Sequence, residues 1–227
     1  MYKYSKKIGF ISTVVLAVVL IPEFALARAG GGSSSGGGGI LTLILLPFLL
    51  IYSAILTHQV SKKNKEAKEL LERLSQYDSS WDINNIKHNI ETAFFKIQEA
   101  WMERNQDMAR DYLSDSLYEK HKMQTDTMIK NNEKNILRNI SLKESKVVQV
   151  ADYTDDSKDM MWVYIVGSMI DYTINDQTGK LISGEEDEQK AFSELWKFIR
   201  GPKGWVLDEI DQTVTIEDVK GFESFSK

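Results

Sequence analysis

Two carboxylates stand where burial could give them chemistry. Asp171 and Glu194 lie in β-type segments among the aromatic residues Tyr172, Trp162 and Trp196. A carboxyl group drawn out of water among apolar rings acquires a raised pKa, the condition for proton transfer near neutral pH. The plainer reading leaves both carboxylates exposed, or paired with Arg200 or a lysine. No histidine joins them. His58, His88 and His121 are far apart in sequence and lack metal-ligand spacing, so each reads as a surface or boundary residue. Asp152, Asp155, Asp156 and Asp159 form an acidic turn. The frame Ile174, Asp176, Thr178, Gly179 and Glu185 comes closest to a calcium loop, but isoleucine occupies its first ligand position. The run Glu185-Glu186-Asp187-Glu188 reads as a solvated loop. Cysteine is absent, which removes thiolate nucleophiles, thiolate zinc sites and disulfides. No catalytic residue, metal or cofactor follows from these patterns. The five tryptophans, Trp81, Trp101, Trp162, Trp196 and Trp205, suit a core, and the same rings would wall any cavity.

The elements that must position these residues are legible in outline. Ile83, Ile86, Ile90, Phe94, Ile97 and Trp101 recur every three or four residues and predict an amphipathic helix over 83–103, with Asp82 as its cap. Gln106 to Asn132 predicts a second, broken helical region that restarts at Ser114 or Asp115. From Ile136 onward strand patterns dominate. Lys146–Tyr153 alternates, and Met160–Ile174 is rich in β-branched and aromatic residues. Gln189–Arg200 places Phe192, Glu194, Trp196 and Phe198 on one face, and Trp205–Val214 returns after a hairpin at Gly201–Gly204. Asn175–Gly179 is a turn signal. Helices followed by an antiparallel meander is the α+β arrangement, with the sheet able to curl over the first helix. The domain is expected over 81–214, with 215–227 as a tail.

The first eighty residues are chemically different. They hold nine Lys/Arg against five Asp/Glu, a net +4, whereas residues 81–227 hold nineteen against twenty-eight, a net −9. An acidic domain is a poor match for a phosphate backbone, so no nucleic-acid partner is expected. Lys3, Lys6 and Lys7, the apolar run Ile8–Ile21 and the small residues Ala25 and Ala27 make a signal-peptide pattern over 1–27, with an uncleaved first membrane helix as the rival reading. Residues 28–39 read as a Gly/Ser linker. Ile40–Thr57 is uncharged and long enough, at roughly 27 Å, to cross a bilayer core. Lys62, Lys63, Lys65 and Lys68 follow it within a basic juxtamembrane helix over 58–80. They suit anionic headgroups or, equally, a solvated connector helix. The positive flank predicts a protein of the cell membrane, single-pass after signal cleavage, with the C-terminal domain in the cytoplasm.

Five stretches together resemble a known family. They are Phe94–Trp101, Asp111–Tyr118, Asp171-Tyr172, Phe192–Arg200 and Trp205–Leu207. Their order and spacing resemble the domain shared by the forty-four-kilodalton subunit of the mitochondrial inner-membrane import translocase and a mitoribosomal large-subunit protein, which also has bacterial members. The resemblance covers residues 81–213. It implies a cone-shaped α+β fold related to nuclear transport factor two. It also implies a non-enzymatic domain held at a membrane surface, contacting lipid and protein partners in protein translocation or membrane-protein assembly. Related cone folds place acids inside an apolar cavity, so a small-ligand-binding or proton-transfer domain using Asp171 or Glu194 is the alternative.

Overall fold

The computed structural model describes residues 38–227, with side chains from Leu45 onward. The signal-peptide pattern over 1–27 and the Gly/Ser linker as far as residue 37 lie outside the described residues.

Helix α1 runs unbroken over Gly38–Leu74, with Pro47 inside it. The expected membrane helix and the expected juxtamembrane helix are therefore one element. Its second half is not a solvated connector. Leu56, Val60, Ala67, Leu70 and Leu71 are all buried, at spacings of four, seven, three and one that trace a single stripe along the helix. The core thus begins well before residue 81.

A 3₁₀ turn at Ser79–Trp81 leads to α2, Ile83–Met102, whose cap is Asp82 as expected; its carboxylate accepts the N–H groups of Asn84 and Asn85. Ile86, Ile90, Ala93, Phe94, Ile97 and Ala100 form the buried face. The broken helical region is a 3₁₀ stretch, Gln106–Tyr112, and then α3, Asp115–Lys130, restarted by the Ser114 hydroxyl accepting from Leu117 N–H.

The strands are β1 (Glu133–Asp152), β2 (Met160–Asn175), β3 (Leu181–Gly201), β4 (Gly204–Asp211) and β5 (Phe225–Ser226), in spatial order β4-β3-β2-β1-β5. The first four form the expected antiparallel meander. The fifth is parallel to β1 at Ala151 and Asp152, so the sheet is mixed. Three register shifts along β1 bend it, and the sheet curls into a half-barrel around α2. The Glu185–Glu188 run lies inside β3 rather than in a loop. The register passes from Ile170 opposite Gln189 to Tyr172 opposite Gly184, which leaves four acidic residues bulging opposite Asp171. Gly184 has φ +83°, and a Cβ there would lie 2.6 Å from the Asp171 carbonyl oxygen, so only glycine fits this turn of the bulge. Residues 215–227 are not a loose tail. Thr215 and Asp218 form a capping box that starts α4, Ile216–Gly221, and Ile216 and Val219 are buried.

Alternation along β2 separates two cores. Met161, Val163 and Ile165 face inward with Phe94, Trp196, Phe198 and the end of α1. Tyr164 and Val166, with the half-buried Trp162, face outward against Leu56, Val60 and α4. Coverage on both faces explains why β2 reads as a near-continuous apolar run. Between the two cores α1 passes the edge of β1, where the Asn64 Nδ2 donates to the Val147 carbonyl at 2.8 Å. An edge strand covered by a helix is protected from pairing with another chain.

Candidate functional site

The five expected pocket residues do not converge. Asp171 is exposed near the end of β2 and accepts from Asn135 Nδ2 at 2.7 Å. Tyr172 is half-buried beneath the Arg138 guanidinium, whose central carbon lies 5.3 Å from the ring centroid. Trp162 belongs to the outer face, stacked on Phe222 with centroids 5.6 Å apart. Only Glu194 and Trp196 meet: both are on the inner face of β3, and Trp196 Nε1 donates to the Glu194 carboxylate at 2.8 Å. Gln212 Nε2 donates to its other oxygen at 3.2 Å. Burial pushes the Glu194 carboxyl above its ordinary range, and these two hydrogen bonds pull the other way. Phe192, two residues before it, stacks on Phe94 with ring centroids 6.3 Å apart. A shallow groove of about 330 Å³ runs along the outside of α3, lined by residues such as Glu119, Met123 and Thr127. A smaller cavity lies between Arg104, Gln106 and Thr125. Neither contains any of the five residues.

Two polar features escaped sequence reasoning. Asp159, read as part of an acidic turn, is completely buried. Its carboxylate accepts from Tyr153 N–H at 2.9 Å and from Arg200 Nη2 at 3.2 Å. Arg200 also binds Asp78, and its guanidinium lies 5.1 Å from the Trp205 ring and 5.4 Å from the Trp81 ring. Trp205 Nε1 closes the cluster on the Ser80 carbonyl at 2.9 Å. Burial raises the Asp159 carboxyl against these contacts. At Asp78 burial acts in the same direction, but hydrogen bonds from Ser80 and the Arg200 charge outweigh it and hold that carboxyl low. The cluster ties the chain after α1 to the β3–β4 hairpin. His121 is likewise not at the surface. It is buried against the edge of Trp101, with centroids 5.4 Å apart, and burial together with the Lys120 charge lowers its pKa to about 4. His58 and His88 are exposed. Among the described residues no group of acids and histidines could hold a metal ion.

The lysines after the apolar segment divide into two sets. Lys62, Lys65 and Lys68 are exposed and point away from the buried stripe of α1. Lys62 and Lys65 each have a glutamate one turn on, at 4.0 Å, and such exposed pairs contribute little. Lys63 instead turns inward, its side chain 13 % exposed, and donates to the Phe222 carbonyl. N-terminal to Leu56 the helix leaves the domain: Leu45, Phe48, Leu49, Leu50, Ile51, Tyr52 and Ile55 are all exposed. Among the described residues no helix is long and apolar enough to cross a membrane.

No curated protein matches the chain. Among solved structures, the crystal structure of the intermembrane space region of the chloroplast protein ARC6 is similar, with a TM-score of 0.38 and 10 % identity over 56 % of this chain and 96 % of that one. The family described as Tim44-like domain matches residues 67–212, from Ala67 inside α1 to Gln212 just after β4, and this chain belongs to that family.

Proposed function

We propose that the protein is a membrane-tethered, non-enzymatic interaction domain that binds protein partners or lipid headgroups at the cytoplasmic membrane surface, in protein translocation or membrane-protein assembly. The observation that carries this reading is the run of exposed apolar side chains from Leu45 to Ile55 on a helix rooted in the domain. They continue the uncharged stretch that starts at Ile40. An exposed apolar patch of this size marks a surface meant for lipid or protein. Lys62, Lys65 and Lys68 follow at the depth of the headgroups, Lys62 roughly 10 Å beyond Ile55 along the axis. Membership of the Tim44-like domain family supports a membrane-associated, protein-interacting role.

The cysteine-free chain gives a direct test of sidedness. A single cysteine in place of the exposed Lys203 is treated with a membrane-impermeant maleimide in intact cells and after permeabilisation. Labelling only after permeabilisation is expected; labelling in intact cells places the domain outside and defeats the reading.

The second reading, a proton-transfer or small-ligand domain, rests on Glu194 alone. Its raised carboxyl suits an acid–base group, but Trp196 and Gln212 already occupy both of its oxygens. A tight small-molecule complex of the full chain, lost in Glu194→Gln, would favour it over the first.

A further inference from the structure

Leu56 is where the sheet-facing stripe of helix α1 first becomes fully buried, while the other face of the helix stays exposed through His58, Lys62, Lys65 and Lys68. Ile55 is 42 % exposed, and Leu56 has no exposed surface. No glycine or proline lies between them or anywhere from Phe48 to Leu74, so nothing in the backbone marks a hinge. Beyond Leu56 the helix is held at successive levels. Leu56 and Val60 pack in the outer core beside Ile216 and Val219 of α4. Lys63 is bonded to the Phe222 carbonyl and Asn64 to the Val147 carbonyl of β1. Leu70 and Leu71 then enter the inner core with Trp81. A helix gripped along its length on both faces of one sheet cannot pivot against that sheet without opening both cores.

We propose that α1 is a rigid strut that fixes the orientation of the whole domain at the bilayer. This rests on reading the apolar stretch ending at Ile55 as the membrane segment. The α4 side of the domain then lies next to the headgroups. The opposite pole, built from Asp78, Arg200 and the β3–β4 hairpin, is held in the aqueous phase. From Leu56 to Leu74 the helix rises roughly 27 Å, and an ordinary tilt of about 20° shortens that only slightly. Headgroup lipid and an aqueous partner would thus meet different, predetermined faces of the domain, with α4 turned to the lipid.

The full chain tests this, because any cysteine introduced is unique. Glu217→Cys on α4 and Lys203→Cys on the hairpin are each labelled with a fluorophore. Each variant is then reconstituted into phosphatidylcholine vesicles containing some phosphatidylglycerol and a headgroup-attached quencher. Strong quenching at position 217 and little at 203 is expected. A further variant with Gly-Ser-Gly inserted between Ile55 and Leu56 should lose most of that contrast while still floating with the vesicles. Lys220→Cys replaces Glu217→Cys if the latter unfolds, as judged by circular dichroism. Failure of the unmodified chain to float with vesicles defeats the membrane reading itself. Flotation with equal quenching at the two positions overturns the strut alone, as does a contrast that survives the insertion.

Discussion

Leu56 and Leu71 lie on one uninterrupted helix, yet they belong to two different cores on opposite faces of the same sheet. The helix can serve both because it passes the edge of β1, which β5 covers only at Ala151 and Asp152. The apolar N-terminal segment is thereby continuous with the packing of the domain rather than joined to it by a linker.

Leu56→Ala and Leu71→Ala should each destabilise the fold by about 2–5 kcal/mol, the usual cost of a core leucine with its cavity. Ile55→Ala, one residue away but exposed, should change stability by no more than about 0.5 kcal/mol. Urea unfolding of the full chain in detergent micelles measures all three. A Leu56→Ala effect as small as that of Ile55→Ala would mean that the outer core does not hold α1.

Asp159 and Asp78 share Arg200 unequally. Asp159 has no exposed surface, whereas the Asp78 side chain is 41 % exposed. Asp159→Ala should cost about 3 kcal/mol, because it leaves a half-satisfied guanidinium beside two indole rings. Asp78→Ala should cost about 1 kcal/mol or less, since solvent screens that contact. The same urea titration distinguishes them, and the order of the two effects is the point at issue.

His121 should make the protein acid-sensitive. Its folded pKa of about 4 lies below the ordinary value of 6.5 for an unfolded histidine. The unfolded chain therefore binds a proton first as pH falls. The stability associated with the neutral ring is present above pH 6.5 and is lost as pH drops from there toward 4, by up to about 3 kcal/mol. His121→Phe keeps an aromatic edge against Trp101 and cannot titrate, so its melting temperature should depend less on pH across that window.

Glu194 carries the opposite sign. A folded carboxyl pKa raised by burial gives stability that is present at low pH and is lost as pH rises through the folded value. Glu194→Gln retains an acceptor for Trp196 Nε1 and removes the part-buried charge. Thermal melts should show it more stable than the parent at neutral pH, and close to the parent below about pH 4, where a carboxyl is protonated in either state. An unchanged melting temperature at neutral pH would show that solvent reaches the carboxylate freely.

Gly184→Ala should be more harmful than Gly179→Ala, although both positions have positive φ. Only at Gly184 would the added methyl collide with backbone, 2.6 Å from the Asp171 carbonyl oxygen; at Gly179 nothing lies within 4 Å. Left-handed strain alone costs about 1 kcal/mol, and the collision adds to it. Melting temperatures of the two variants rank them.

Local chemistry made much of this fold readable in advance. Asp82 and Ser114 act as helix caps because a short polar side chain can satisfy N–H groups within three residues, and sequence records that spacing. The turn at Asn175 is local in the same sense, and so is most of the α2 stripe: Ile86, Ile90, Phe94 and Ile97 are buried as their spacing predicts, while Ile83 and Trp101 are only partly covered and Ala93 and Ala100 complete the buried face. Apolar type alone, however, cannot say which apolar surface a residue will meet. Leu56 reads equally well as lipid-facing or core, and only the arrival of α4 from 160 residues later decides it. Charge has the same limit. Asp159 looks like any acid of a surface turn until β3 brings Arg200 beside it, and Lys63 looks like its neighbours until Phe222 offers a carbonyl. Asp171 and Glu194 have similar sequence surroundings, but a bulge on β3 leaves the first in water while strand alternation turns the second toward Phe94 and Trp196. Sequence alone determined the elements whose hydrogen bonds close within a few residues. Tertiary structure decided which face each residue meets, because that depends on partners distant in the chain.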